Sequence, residues 1–135
     1  MQRVIKSPLS RLLISRQLSC TALVKKSFVI KNNDDFMNKV MNSDVPVIVN
    51  FHAEWCDPCK ILSPKLKEMV EPMENINLAV VDVENNAELV HTFEVKAVPA
   101  VLAVRNGLIV DKFVGLVDVD MIEKLIRNLT RTDAQ

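Results

Sequence analysis

The chain has 135 residues, with 17 Lys and Arg against 17 Asp and Glu, 49% hydrophobic residues and three cysteines. That length fits one soluble domain with a sizeable core and leaves no room for a multidomain assembly. Aromatic residues make up 4% and the formal net charge is zero, which speaks against a basic nucleic-acid binder and a highly charged disordered chain.

The zero conceals an asymmetry. Residues 1–33 hold seven basic side chains (Arg3, Lys6, Arg11, Arg16, Lys25, Lys26 and Lys31) and no acid, so residues 34–135 carry 10 basic and 17 acidic groups, or −7. An acid-free segment bearing Arg and Ser has the composition of a mitochondrial transit peptide. Ile5, Leu9, Leu12 and Leu13 recur at helical spacing, with Arg3, Lys6 and Arg11 mostly elsewhere on the wheel. Charges recur too often for a secretory signal, and no segment approaches the ~20 apolar residues that span a bilayer. Arg16-Gln17-Leu18-Ser19 resembles a matrix-protease site with arginine three residues before the cut, so cleavage is expected after Leu18. Residues 1–26 are read as leader and short linker, and 27–135 as the folded domain. A disordered basic tail that stays attached is the competing reading.

From Ser27 onward, short β-type runs alternate with helical patterns. Ser27 to Ile30 reads as a strand, and Asn33 or Asp34 as the cap of a helix carrying Phe36, Met37, Val40 and Met41 on one side. Val45 to Phe51 is a buried strand interrupted by Asn50. Pro58 opens a helix in which Ile61, Leu62, Leu66, Met69 and Met73 share a face, with Pro64 expected to kink it. Ile76 to Val83 is another strand and Asn85 to Phe93 a short helix. Asn106-Gly107 joins the runs Ala100 to Val104 and Leu108 to Val114, a strong hairpin signal. Asp118 or Asp120 then starts a helix with Ile122, Leu125, Ile126 and Leu129 inward. The order β-α-β-α-β-α-β-β-α predicts an α/β fold, a central mixed sheet with helices on both faces.

Trp55-Cys56-Asp57-Pro58-Cys59-Lys60 carries the chemistry. It falls where a buried strand gives way to a helix, the place where reactive sites in open α/β sheets collect. Two intervening residues let Cys56 sit at the helix mouth and Cys59 one turn inside, close enough for a small disulfide ring. Free N–H groups and the helix dipole at that end favour a thiolate, placing the Cys56 pKa below the ~8.5 of a free cysteine. Cys56 is thus the expected nucleophile and Cys59 the resolving thiol. A zinc site competes poorly, because only Cys20, His52 and His91 remain as ligands and none has zinc-type spacing. An inert structural disulfide is at odds with a reducing compartment. His52 and His91 are read as structural, and Met69 and Met73 as core filling.

With the cysteine turn, the runs Val47-Ile48-Val49-Asn50-Phe51-His52-Ala53-Glu54, Val98-Pro99, Asn106-Gly107 and Asp111-Lys112-Phe113-Val114-Gly115 resemble the thioredoxin family, most of all its animal mitochondrial members. The resemblance runs from Ser27 to Leu129 and implies the thioredoxin fold. It implies that Pro99 is a cis-proline facing the cysteines, and that Val98 offers backbone hydrogen bonds to an extended substrate. It further implies that Trp55 packs over the turn and that Gly115 allows close approach of a partner backbone. The plain alternatives are a strand-start proline, an exposed loop aromatic and a β-bulge glycine. By the same resemblance the activity is protein-disulfide reduction in the mitochondrial matrix, with no bound cofactor. Electrons come from NADPH through thioredoxin reductase, and clients include peroxiredoxins. The protein is expected to act as a monomer, with no nucleic acid and no stable membrane association. A thioredoxin-like binding or chaperone module, and a dedicated oxidase or isomerase, are the alternatives.

Three positions depart from the family pattern. Asn50 stands where the family has a buried aspartate and Val80 where it has the accompanying lysine. Loss of one would strand a buried charge at about 3–5 kcal/mol, whereas loss of both is compatible with folding. Asn50 cannot accept the Cys59 proton as a base, so slower resolution is expected. Asp57 replaces the family's usual glycine, and its carboxylate opposes a thiolate on Cys56. Together with Trp55, Pro58, Lys60 and Asn50 it is read as tuning the site. Asp57→Gly is expected to lower the Cys56 pKa, read by thiolate absorbance across a pH titration; an unchanged or higher value refutes the role.

Overall fold

The structure is a computed structural model that describes residues 26–116 and 118–131. The expected leader with its cut after Leu18, and the last residues of the expected 27–135 domain, lie outside the described residues. The elements are β1 (Ser27–Val29), α1 (Asn33–Phe36), which runs directly into a π-helical stretch (Met37–Met41), β2 (Val47–His52), α2 (Asp57–Val70), β3 (Asn77–Asp82), α3 (Ala87–Thr92), β4 (Ala100–Arg105), β5 (Leu108–Val114) and α4 (Val119–Thr130). They follow the expected β-α-β-α-β-α-β-β-α order.

The strands form one sheet in the order β1-β3-β2-β4-β5. β1 and β2 flank β3 in parallel, because a helix returns the chain between them; β4 runs antiparallel to β2, and β5 to β4. Asn106 and Gly107 make the β4–β5 turn with φ of 54° and 75°, the left-handed pair that a tight hairpin requires. A register shift at Ala103/Val104 lets β5 bend over the sheet.

Side-chain alternation along β2 feeds two cores. Val47, Val49 and Phe51 join Phe36, Val40 and Leu89 on one face, where Phe93 packs 5.2 Å from the Phe36 ring and 6.4 Å from the Phe51 ring. Ile48 faces the other way, with Leu62, Leu66 and Val70 of α2 and Ile122, Leu125, Ile126 and Leu129 of α4. Each fully buried aliphatic or aromatic side chain contributes about 1.5–3 kcal/mol, so these two layers are what hold the sheet between its helices.

Local details differ from the sequence reading. The cap of α1 is Asn32, whose Oδ1 accepts from the Asp35 N–H at 2.9 Å, one residue before the expected Asn33. β2 begins at Val47 rather than Val45: Pro46 has no N–H to offer the ladder, although its carbonyl accepts from Asn77 at 3.0 Å. Ile61 is 59% exposed, contrary to its expected place on the apolar face. The buried stripe of α2 is Cys59, Leu62, Leu66 and Val70, and drawing Cys59 inward turns Ile61 out. Met69 and Met73 are half-buried against the second core as expected, and α2 continues through Pro64. The last helix is capped by Asp118, whose Oδ1 accepts from Met121 at 3.1 Å.

The backbone N–H of Lys31, at 2.9 Å, holds the Asp35 carboxyl below its usual range; burial opposes this, and Lys39, whose Nζ lies 3.1 Å away, adds to it. A lowered folded-state pKa stabilises the fold above the unfolded value of 3.8, and that contribution disappears as pH falls through the folded value. Asp35→Asn should therefore lower Tm by a few degrees at pH 7, from a loss of about 1 kcal/mol or less. The gap to the parent should close in calorimetric scans below pH 4, and a constant gap at all pH values would refute this reading.

Candidate active site

β2 ends at His52, and the chain turns through Ala53, Glu54 and Trp55 before Cys56 opens α2. The Cys56 N–H donates to the Ala53 carbonyl at 3.2 Å, which closes the turn. Cys56 is the N-cap of α2 in an extended conformation, and its Sγ accepts from the Cys59 N–H at 3.2 Å. Pro58 sits in the first turn, where no helical donor is needed. Cys56 and Cys59 are joined in a disulfide with their Cα atoms 5.3 Å apart.

The bond bridges two intervening residues. Loop-closure entropy over so short a span amounts to about 2 kcal/mol. Both cysteines are also held independently, one by the end of β2 and the other by the packed face of α2. Breaking the bond thus releases no element of the fold, which suits a reversible bond better than a structural staple. Cys56 is 4% exposed and Cys59 1%, so the expected difference in depth is present but small. The pair packs with Ala53, Val83 and Val98 in a small cluster of its own.

The structure brings several of the anticipated residues to this cluster. The Val98–Pro99 peptide bond is cis, Val98 packs against the cysteines, and Pro99 is buried beside it. The Gly115 N–H donates to the Pro99 carbonyl at 2.7 Å, which ties the end of β5 to the same corner. Gly115 has φ of 97°, a conformation that side chains resist, and open space lies where a Cβ would stand. Glycine is needed there for its backbone, and the space beside it is free for another chain.

Other residues stand apart. Trp55 is 64% exposed and points outward, its Nε1 donating to Glu84 at 2.7 Å. The carboxylate of Asp57 lies 3.9 Å from the Lys60 ammonium, both in solvent, so the contact adds little. Asn50 is buried in β2 between Val80 and Val101, and its Nδ2 donates to Ser63 Oγ at 2.9 Å. Val80, opposite it, packs against the second core. His52 is half-buried and His91 exposed, and among the described residues no group of three or more His, Cys, Asp or Glu is placed to hold a metal.

Glu84 and Ser63 escaped the sequence reading. Glu84 meets Trp55 across 29 positions, and no local pattern announces that contact. Ser63 left a trace, because it follows Cys59 by four residues and so shares its helix face.

Residues 27–128 match the thioredoxin family model. The chain is 42% identical over 116 residues to mitochondrial thioredoxin of Rattus norvegicus, covering 85% of this chain and 70% of that protein. It is 40% identical over 103 residues to probable thioredoxin-2 of Caenorhabditis elegans, covering 76% and 71%. Among solved structures it resembles the thioredoxin of Fasciola hepatica, with a TM-score of 0.66, 28% identity and coverage of 74% of this chain and 97% of that one.

Proposed function

This chain belongs to the thioredoxin family, and on that premise we propose that it reduces protein disulfides in the mitochondrial matrix through Cys56 and Cys59. The observation that carries the reading is the Cys56–Cys59 bond at the N-terminus of α2, with Cys56 Sγ receiving a backbone N–H. Reduced Cys56 is the nucleophile, because that N–H and the helix terminus favour negative charge on its sulfur. Its thiolate attacks one sulfur of a client disulfide, forming the Cys56–client bond and expelling the other client sulfur as thiolate. Cys59 then gives up its proton and attacks Cys56 Sγ, which releases the second client sulfur and restores the Cys56–Cys59 bond. Two electrons pass from the dithiol to the client.

Val98, Pro99 and Gly115 form the substrate-binding corner, with the open space beside Gly115 admitting a client backbone, and the exposed Trp55, next to Cys56 in the chain, adds an apolar surface for the client. Asp57, Pro58, Lys60 and Asn50 tune the pair. Electrons return from NADPH through thioredoxin reductase, and peroxiredoxins are among the clients. The mitochondrial relatives, the basic acid-free leader and the acidic remainder support the matrix location. A second reading, a binding module whose cysteines cycle little, draws on one observation: the residue buried at position 50, where the family resemblance implies a base, is an amide that can take no proton.

A coupled assay with NADPH, a thioredoxin reductase and insulin separates the two. The wild type should turn over, and Cys59→Ser should lose about a hundredfold or more, because an external thiol must replace an intramolecular one. Equal rates would favour the binding module. In mitochondria the mature chain should begin at Ser19 by N-terminal sequencing, and a start at Met1 or beyond Phe28 would overturn the leader assignment.

A further inference from the structure

Three asparagines of the chain precede a small residue, in Asn42-Ser43, Asn86-Ala87 and Asn106-Gly107. Such a pair can modify itself. The backbone nitrogen of the second residue attacks the side-chain amide carbon of the first, and a small second side chain leaves that approach open. The reaction needs a backbone N–H that is not already donating, and an asparagine side chain that is solvated and not held. The fold withholds these conditions from two of the three pairs. The Ser43 N–H donates to the Val40 carbonyl at 3.3 Å, so the nitrogen after Asn42 is engaged. Asn86 is 5% exposed, and its Nδ2 donates to the Asp82 carbonyl at 3.0 Å, which fixes the amide. Asn106 differs on every count. It is exposed at the tip of the β4–β5 hairpin. Gly107 lies between the paired residues Arg105 and Leu108, and its N–H has no acceptor among the described residues.

We infer that Asn106-Gly107 is a self-modifying site, at which the folded protein slowly converts Asn106 to an acidic residue. The Gly107 nitrogen forms a bond to Asn106 Cγ, the Cγ–Nδ2 bond breaks, and Nδ2 leaves as ammonia with the proton that Gly107 gave up. Water then opens the cyclic imide. Opening at Cγ restores the backbone and leaves aspartate, whereas opening at the backbone carbonyl leaves isoaspartate, with one more carbon in the main chain. The fold receives the two products differently. Aspartate tolerates the left-handed conformation of Asn106, with φ of 54°. Its carboxylate arrives on a cavity of about 510 Å³ whose charged lining residues are Arg105 and Arg131, so the new charge is attracted rather than opposed. Isoaspartate lengthens a tight turn with no slack, because even a Cβ on Gly107 would stand 3.3 Å from the Met41 carbonyl oxygen. Aspartate is therefore the product that the folded hairpin favours. Arg105 and Pro99 stand at opposite ends of β4, so the charge is added away from the cysteines.

The test incubates the full chain at neutral pH and follows each asparagine by peptide mapping, since conversion of amide to acid raises the mass and the two acids separate by chromatography. Asn106 should convert about tenfold faster than Asn42 or Asn86, or more, and a smaller ratio overturns the inference. In concentrated urea Asn42 and Asn86 should accelerate. Asn106 should gain less than about fivefold there, because the fold already leaves it open, and a larger gain shows a protected turn and overturns the inference. The aspartate share at position 106 should be higher in the folded chain than in urea. An isoaspartate share as large in the folded chain as in urea overturns the assignment of aspartate as the favoured product.

Discussion

The central constraint on this molecule is the burial of β2 on every side. β3 and β4 take its two edges, and its two faces are covered by separate helical layers, so Val47 to Phe51 meet no solvent. A one-residue slip would exchange the strand's side chains between the two cores, driving Asn50 toward Phe36 and Phe93 and Phe51 out of their company. The register is therefore fixed, and with it the point at which the strand ends and the cysteine turn begins. The site inherits its geometry from that strand: Ala53 closes the turn, Cys56 caps the helix, and Leu62 and Leu66 anchor the helix to the face that Ile48 shares.

A second strand brings the other half of the site. Val98 and Pro99 lie at the entry to β4, which is hydrogen-bonded to β2 along its length, and Gly115 leaves β5 bonded to Pro99. Three chain segments far apart in sequence thus meet at one end of the sheet. Each is held by the sheet rather than by the disulfide, so the bond between Cys56 and Cys59 is free to open and close while the surrounding backbone keeps its place. That separation between what holds the fold and what performs the chemistry is what a reversible disulfide requires.

Much of this was legible in the sequence because the signals were local. Apolar runs bounded by turns gave the strands, Asn106-Gly107 gave the hairpin, and the position of the cysteine turn between a strand and a helix gave the site. What escaped was set by contacts between segments. The phase of α2 follows from the inward pull on Cys59, which no wheel drawn from Ile61, Leu62 and Leu66 contains. The cap at Asn32 and the start of β2 after Pro46 were missed by a residue or two, because an apolar pattern marks the body of an element and not its end. Trp55 looked like a lid on the turn, yet its indole is drawn outward by Glu84, a partner visible only once β3 is placed beside β2.

The polar residue in the core illustrates the same limit and its energetic reason. An ionised side chain at position 50 with an apolar Val80 opposite would carry a desolvation penalty of several kcal/mol, and no counter-ion faces it in the sheet register. An amide at that position costs at most about 1–3 kcal/mol for an unmade hydrogen bond, and Ser63 on the neighbouring helix already supplies one partner. Replacing charge by a neutral dipole therefore leaves the core stable without a second charge. A carboxylate would bring a titratable charge into the core, whereas the Asn50 amide takes no proton.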